Sequence, residues 1–578
     1  MTPCRLLTSA IVVGFIATSG HGAPAFSSHD RDVEALLARM TLDERIGQIV
    51  QADSMALKAK ADVRNYFLGS VLSGGGSDPE HGNSAQDWLR FVNEFQAQAL
   101  QTRLKIPILY GIDAVHGHNN VDGATIFPHN IGLGAAHDAK LVARAARVTA
   151  AECAGTGIRW TFAPCVAVPQ NPRWGRTYEG YSDQTPLVSK LATAATTGLQ
   201  GKRLSPDPAS VLACAKHFLG DGGTADGIDQ GNTVCDETAL RRTFLPPYEA
   251  CVKSGIGSIM ISYNSWNGEK MHAQQHLLTD VLKGELGFRG FLVSDWAAID
   301  QINTNDYRDC IERSINAGLD LVMIPNGPGK PNNYIDFIHH LKALVAERKV
   351  QQSRVDDAVR RILRVKFAMG LFENTATDPK FTAAIGSPEH HAVARECVRR
   401  SLVLLKNENL LPLCRNIKRL AVVGVAADDL GMQCGGWTID WQGGHGQITR
   451  GGTTLLAAIK RTVSAATEVT FSPDATHLNN PDAVIVVVGE APYAEMKGDG
   501  EHLGLPAGDL GRIAKAKASG APVLTILYSG RPLPLGSALA DSAAFVAAWL
   551  PGSEGSGITD VLFGDYKFTG KLPCSWKR

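Results

Sequence analysis

Residues 290–296 read Gly-Phe-Leu-Val-Ser-Asp-Trp. The apolar run is too short for a helix and is opened by glycine. It has the composition of a buried strand, and a carboxylate, Asp295, stands at its exit with Trp296 directly behind. Comparable short β-rich runs recur at 47–53, 68–73, 106–113, 158–166, 211–217, 256–263 and 319–324. Between many of them lie longer stretches of helical periodicity, clearest at 138–154 and 237–254. Strands that alternate with helices predict parallel βαβ units, and eight of them predict a (β/α)8 TIM-like barrel over residues 28–370, closed by a helix at 355–369.

The polar ends of these runs carry the first functional information. Asp113, Lys216, His217, Tyr263 and Asp295 each sit at or near the C-terminal end of an expected strand. In a barrel those ends converge on one mouth, so residues distant in sequence meet by topology alone. Residues 371–400, punctuated by Pro379, Gly386 and Pro388, read as a polar, loop-like linker. A second α/β pattern occupies 401–578. Its strand-like runs lie at 419–425, 482–489, 522–528 and 543–550, with a helical stretch at 508–519, and together they predict a mostly parallel sheet.

Bulk composition narrows the function. The 578 residues suit two domains, and 44% hydrophobic with 20% charged residues is globular. Lys+Arg and Asp+Glu are both 57, which provides no electrostatic drive toward nucleic acid or anionic membrane. Arg5, the apolar stretch 6–18 and the small residues up to Ala23 read as a secretory signal peptide over 1–23, so the protein is expected to be secreted, either extracellular or periplasmic. No later stretch reads as a membrane span. Of 11 cysteines, Cys4 lies in the leader; the others lack CxxC spacing and do not read as a zinc set. Some of them could pair in an oxidising compartment, and several suit small buried hydrophobic roles.

Each chemical motif has a plainer alternative. Asp295 fits a nucleophile fixed at a strand end and equally fits a cap for the next helix. Lys216-His217, a charged pair after a buried strand, fits donors to sugar hydroxyls or a structural ion pair. The loop 220–231 is rich in glycine but lacks P-loop or dinucleotide spacing. In 110–120, YGIDAVHGHNN, Asp113 suits a hydroxyl acceptor, while His116 and His118 lack a third metal ligand. In Pro172-Arg173-Trp174-Gly175-Arg176 one arginine suits the site and the other a surface role.

Taken together, AKHF with GDGGT, GFLVSDW, DAVHGHNN, NPRWGR, ISYNSWNG, CGGWTIDWQG and VGEAPYAEMKGD resemble glycoside hydrolase family 3, of the β-D-glucan exohydrolase and β-glucosidase type, in order and over nearly the whole chain after the leader. The resemblance implies a barrel followed by an α/β sandwich domain, with the site between them. It implies Asp295 as nucleophile and a second-domain acid/base, Glu495, with Glu490 as rival because it ends the strand at 482–489. It carries glucose binding to Asp113, Arg176, Lys216, His217 and Tyr263, and an aromatic clamp for the next sugar to Trp296 and Trp437. The implied activity is a retaining exo-acting β-glucosidase on β-linked glucan oligosaccharides, as monomer or homodimer, with neither cofactor nor metal. Retention sets the two carboxyls about 5–5.5 Å apart. A β-xylosidase and a non-catalytic sugar-binding protein are the alternatives. The loop 219–231 lacks the histidine that the family's N-acetylglucosaminidases carry, and 297–301 departs from its near relatives. The chain stops soon after KLPCSW at 571–576, where relatives continue, so the C-terminus reads as a truncation.

Overall fold

The computed structural model describes residues 27–576; the expected signal peptide lies outside them. Eight short strands form the first unit. In chain order they are Val50–Asp53, Ser70–Ser73, Leu109–Ile112, Trp160–Thr161, Cys214–Phe218, Ser258–Ile261, Phe291–Val293 and Val322–Ile324. Five pair in one parallel sheet and three in another. Parallel bridges Trp160–Leu212 and Cys165–Lys216 join the sheets on one side, and Val293–Leu321 joins them on the other. The ring therefore closes with every strand beside its neighbour in sequence, the (β/α)8 arrangement. Leu72, Leu109, Trp160, Phe162, Leu212, Cys214, Met260, Phe291, Val293, Leu321 and Met323 pack inside it. A larger apolar layer lies between the ring and its helices.

Helix starts follow local chemistry. Asp138, Asp306 and Asn333 each accept backbone N–H groups at the first turns of Ala139–Gly155, Tyr307–Ala317 and Tyr334–Ala346. Two expectations are corrected. The helix over 237–254 is two helices, Glu237–Thr243 and Leu245–Lys253, because Pro246 and Pro247 carry no amide donor and start a new first turn. The stretch 371–400 is not a loop-like linker. It holds Pro379–Ala384 and Pro388–Ser401, each opened by proline after a capping side chain, Asp378 or Ser387.

The second unit is one six-stranded sheet. Its order is Val403–Asn407, Ala544–Trp549, Val523–Tyr528, Ala483–Gly489, Arg419–Val423 and Glu468–Ser472, parallel except for the first strand. Alternate residues of the central strands feed two separate cores. Val484, Val486 and Val488 face one, and Ile485 and Val487 face the other, so helices cover both faces. The edge strands Val403–Asn407 and Glu468–Ser472 were not anticipated; Lys406, Asn407, Glu468 and Thr470 break their apolar runs and leave them partly exposed. Among the described residues all ten cysteines keep free thiols, and eight are buried, the small-hydrophobe role. No described helix is long and apolar enough to cross a membrane.

Candidate active site

The strand ends of the ring open on a cavity of about 590 Å³, and segments of the sheet domain form its opposite wall. Asp113, Arg176, Lys216, His217, Tyr263, Asp295, Trp296, Trp437 and Glu495 all line it. Gln230, Asp440, Trp441 and Met496 line it too and were not anticipated.

Asp295 follows the strand Phe291–Val293. Its own amide donates to His272 Nε2 at 3.3 Å, and its Oδ1 accepts the Trp296 amide at 2.7 Å. The buried Oδ2 has no hydrogen-bond partner among the described residues, and His217 Nε2 stands 3.7 Å away. Burial pushes the carboxyl up to about 6, against the pull of Arg176, the Trp296 amide and Lys216. An oxygen that is buried, fixed and unbonded is the arrangement a nucleophile needs.

Around it the donors are locked by one another. Lys216 Nζ donates to Asp113 Oδ1 at 2.6 Å. Burial works against the Lys216 charge, but Asp113 and Glu179 together hold the ammonium above its ordinary range. Arg176 makes a bidentate pair with Glu179, 2.9 Å to each oxygen, and its Nη2 reaches His217 Nε2 at 3.0 Å. A guanidinium only donates, so His217 Nε2 is an acceptor and the ring proton sits on Nδ1, which donates to Asp221 Oδ2 at 2.8 Å. Burial, with Arg176 and Lys216 nearby, depresses His217 well below its usual range and keeps it neutral. Arg173, the other arginine of that motif, is exposed.

Glu495 enters from the sheet domain, on the turn Glu495–Gly498, in left-handed backbone with φ +53°. Its Oε1 lies 3.4 Å from Arg176 Nη1. Burial raises its proton affinity to about 8; Arg176 opposes this, and Asp295, Asp229 and Glu179 add to it. Glu490 does not line the cavity. It is consumed by the Arg531 Nε–H at 3.0 Å, the Gly530 amide at 2.9 Å and the Tyr493 hydroxyl at 3.2 Å.

The two tryptophans of 434–443 differ. Trp437 is only 6% exposed; its indole N–H donates to Glu179 Oε1 at 3.2 Å, and Lys216 stands over its ring. It is part of the wall, which corrects its expected place in an aromatic clamp. Trp441, four residues on, is half-buried on the cavity, and its amide donates to Gly75 O at 2.7 Å. Trp296, 38% exposed, lies over Gly74, where any Cβ would strike its ring. The Tyr263 hydroxyl donates to the Trp296 carbonyl and fixes that segment. His116 contacts the Trp437 carbonyl at 3.1 Å and His129 the Gly436 carbonyl at 2.9 Å, so barrel histidines seat the segment that bears both rings.

Cys165, His217 and Asp221 bring ligand-type atoms within 4.8 Å of one another. Both His217 nitrogens are already engaged and the Arg176 cation lies against the ring, so this cluster orients His217 rather than offering ligands to a metal.

Two buried carboxyls facing one cavity from different domains, with donors and acceptors fixed between them and aromatic faces at the side, define a glycoside hydrolase. Residues 41–365 match the model of the glycosyl hydrolase family 3 N-terminal domain and 402–578 that of the family 3 C-terminal domain. A lysosomal beta glucosidase of Dictyostelium discoideum is 33% identical over 95% of this chain and 72% of that protein. A periplasmic beta-glucosidase of Salmonella typhimurium is 31% identical over 95% and 74%. The crystal structure of an exo-1,3/1,4-beta-glucanase from a Pseudoalteromonas species superposes with a TM-score of 0.90 at 40% identity, over 95% of this chain and 70% of that one. The chain belongs to glycoside hydrolase family 3.

Proposed function

We propose that this protein is a secreted, retaining, exo-acting β-glucosidase that releases glucose from the non-reducing ends of β-glucans and cello- and laminari-oligosaccharides. The observation that carries the reading is the pairing of Asp295 and Glu495 across one cavity, each with the ionisation its role requires. Asp295 Oδ2 attacks the anomeric carbon while protonated Glu495 delivers its proton to the leaving oxygen. The covalent glucosyl-enzyme is then hydrolysed by a water that Glu495 deprotonates, and β-glucose leaves. Asp113, Lys216, Arg176 and His217 hold the glucose hydroxyls, and Tyr263 steadies the Asp295–Trp296 segment. Trp296 with Trp441, rather than with Trp437, forms the aromatic pair for the next sugar. The names of the relatives support a glucoside substrate and a compartment outside the cytosol.

The test is a panel of aryl β-glucoside, β-xyloside and β-N-acetylglucosaminide, with the first-formed sugar followed by proton NMR. A dominant glucoside rate, abolished in Asp295→Asn, with β-glucose appearing first, is expected. First-formed α-glucose would overturn retention, and a dominant xyloside rate would replace the substrate.

A further inference from the structure

The turn that bears Glu495 is tied to the barrel by Arg531, whose Nη2 donates to the Gly498 carbonyl at 2.6 Å while its Nη1 donates to the Pro172 carbonyl at 3.0 Å. Met496 and Lys497 are exposed, and the Lys497 and Asp499 amides bond backward, to the Ala494 and Met496 carbonyls. A second grip comes from Asp499. Its Oδ1 accepts the Gly175 amide at 2.8 Å, and its Oδ2 accepts the Asp229 amide at 2.8 Å. These amides belong to two different barrel loops, one leading directly into Arg176 and the other carrying Gln230 on the cavity. Among the described residues the Asp499 carboxylate has no cationic partner; both of its bonds are charge-assisted bonds from backbone N–H groups. The contact it secures is closely fitted. A Cβ on Gly175 would come within 2.2 Å of the Glu495 carbonyl oxygen and 2.7 Å of the Gly498 carbonyl carbon. The Gly500 amide extends the seam to the Arg173 carbonyl at 3.1 Å.

We propose that Asp499 is a positioning residue: by tying the turn 495–498 to the loops that precede Arg176 and Gln230, it sets where Glu495 stands relative to the leaving oxygen. The inference rests on Glu495 being the proton donor. An error of about 1 Å in such a group can cost on the order of a hundredfold in rate. That cost falls on the step needing a proton and spares one that does not. Without its bracket the turn loses its bonds to the Gly175 and Asp229 amides and keeps those from Arg531 and Gly500, while Asp295, on its strand end, is untouched.

Leaving-group dependence isolates this. Phenyl β-glucoside expels a basic phenolate that needs protonation, whereas 2,4-dinitrophenyl β-glucoside expels an anion stable without a proton. The ratio of their kcat/KM values is measured for the full chain, Glu495→Gln, Asp499→Ala and Asp499→Asn. Partial misfolding lowers the active concentration equally for both substrates and cancels in the ratio. We expect Glu495→Gln to depress phenyl glucoside by about 10²–10⁴-fold relative to the activated substrate. Asp499→Ala should depress it by roughly 10–100-fold. Asp499→Asn, which keeps one acceptor oxygen, should fall between Ala and the parent. An Asp499→Ala enzyme that loses both activities in equal proportion, or neither, overturns the positioning role. A Glu495→Gln ratio equal to the parent's is a different failure, because it removes Glu495 as the donor and this inference with it.

Discussion

The barrel wall and the sheet-domain wall of the cavity deliver their acids by different means. Asp295 comes two residues past a strand paired in register with Ser258–Ile261 and bridged to Leu321 on its other side. Its backbone is determined by a ladder that would exist without any site. Glu495 stands in left-handed backbone on a four-residue turn. Non-glycine residues occupy that region only where surroundings impose it. Trp437 and Ile439 on the same wall, at φ +57° and +63°, are strained alike. One wall is rigid by secondary structure, and the other is held by side chains and carbonyls that reach across the domain boundary. The nucleophile should therefore tolerate damage to the interface, while the proton donor should not.

The largest effect tests the rigid side. Asp295→Ala is expected to cut kcat by on the order of 10⁴–10⁶-fold, with the circular dichroism spectrum and sugar binding retained. A loss of less than tenfold would break the assignment. Next come the two glutamates of the sheet domain. Glu495→Gln should lower kcat/KM on unactivated glucosides by about 10²–10⁴-fold. Glu490→Gln should keep most of the activity but lose about 1–3 kcal/mol in urea denaturation, because Arg531 and the Gly530 amide lose a charged acceptor.

Acidity sharpens the contrast. The proposed mechanism uses Asp295 ionised, which burial delays until about pH 6, and Glu495 protonated, which holds to about pH 8. The kcat/KM profile should be a bell with limbs near those values, and the alkaline limb should vanish in Glu495→Gln. Stability carries the same sign. Glu495 binds its proton more tightly in the folded chain, at about 8 against an ordinary 4.5, so folding loses stability as pH rises between those values. Glu495→Gln should therefore melt above the parent at pH 8 and show little gain at pH 4. The smallest effect concerns the tryptophans. Trp441→Ala should raise KM for laminaribiose by roughly tenfold, the worth of about 1 kcal/mol of aromatic contact and more, with a smaller change for methyl β-glucoside.

How far these features can be read in the chain follows from the same contrast. Residues 290–295 and 482–489 announce themselves because buried parallel strands are continuous apolar runs, and whatever polar group ends them stands out. Asp113, Lys216, His217 and Asp295 were visible for that reason, and the ring brings them together. Edge strands such as Glu468–Ser472 lack that contrast, since one side is wet. The loop-borne groups carry no periodicity at all. Glu495 and Glu490 stand five positions apart, and the three partners that consume Glu490, with the place of Glu495 alone on the cavity, tell them apart. Trp437 and Trp441 sit in one motif, yet one is wall and the other lines the mouth with Trp296. Asp499 carries no signal of its own, because its work is to hold amides that any sequence possesses.

The seam between Gly175 and Gly498 has a practical meaning beyond this chemistry. Because nucleophile and proton donor of the proposed mechanism ride on elements of different domains that meet there, turnover works as a two-key lock. A small shift at the seam shuts the lock while both cores stay packed. In a slow urea titration, hydrolysis of an unactivated glucoside should fade before either core releases its buried tryptophans, which makes the reaction itself the most sensitive gauge of how well the halves are joined.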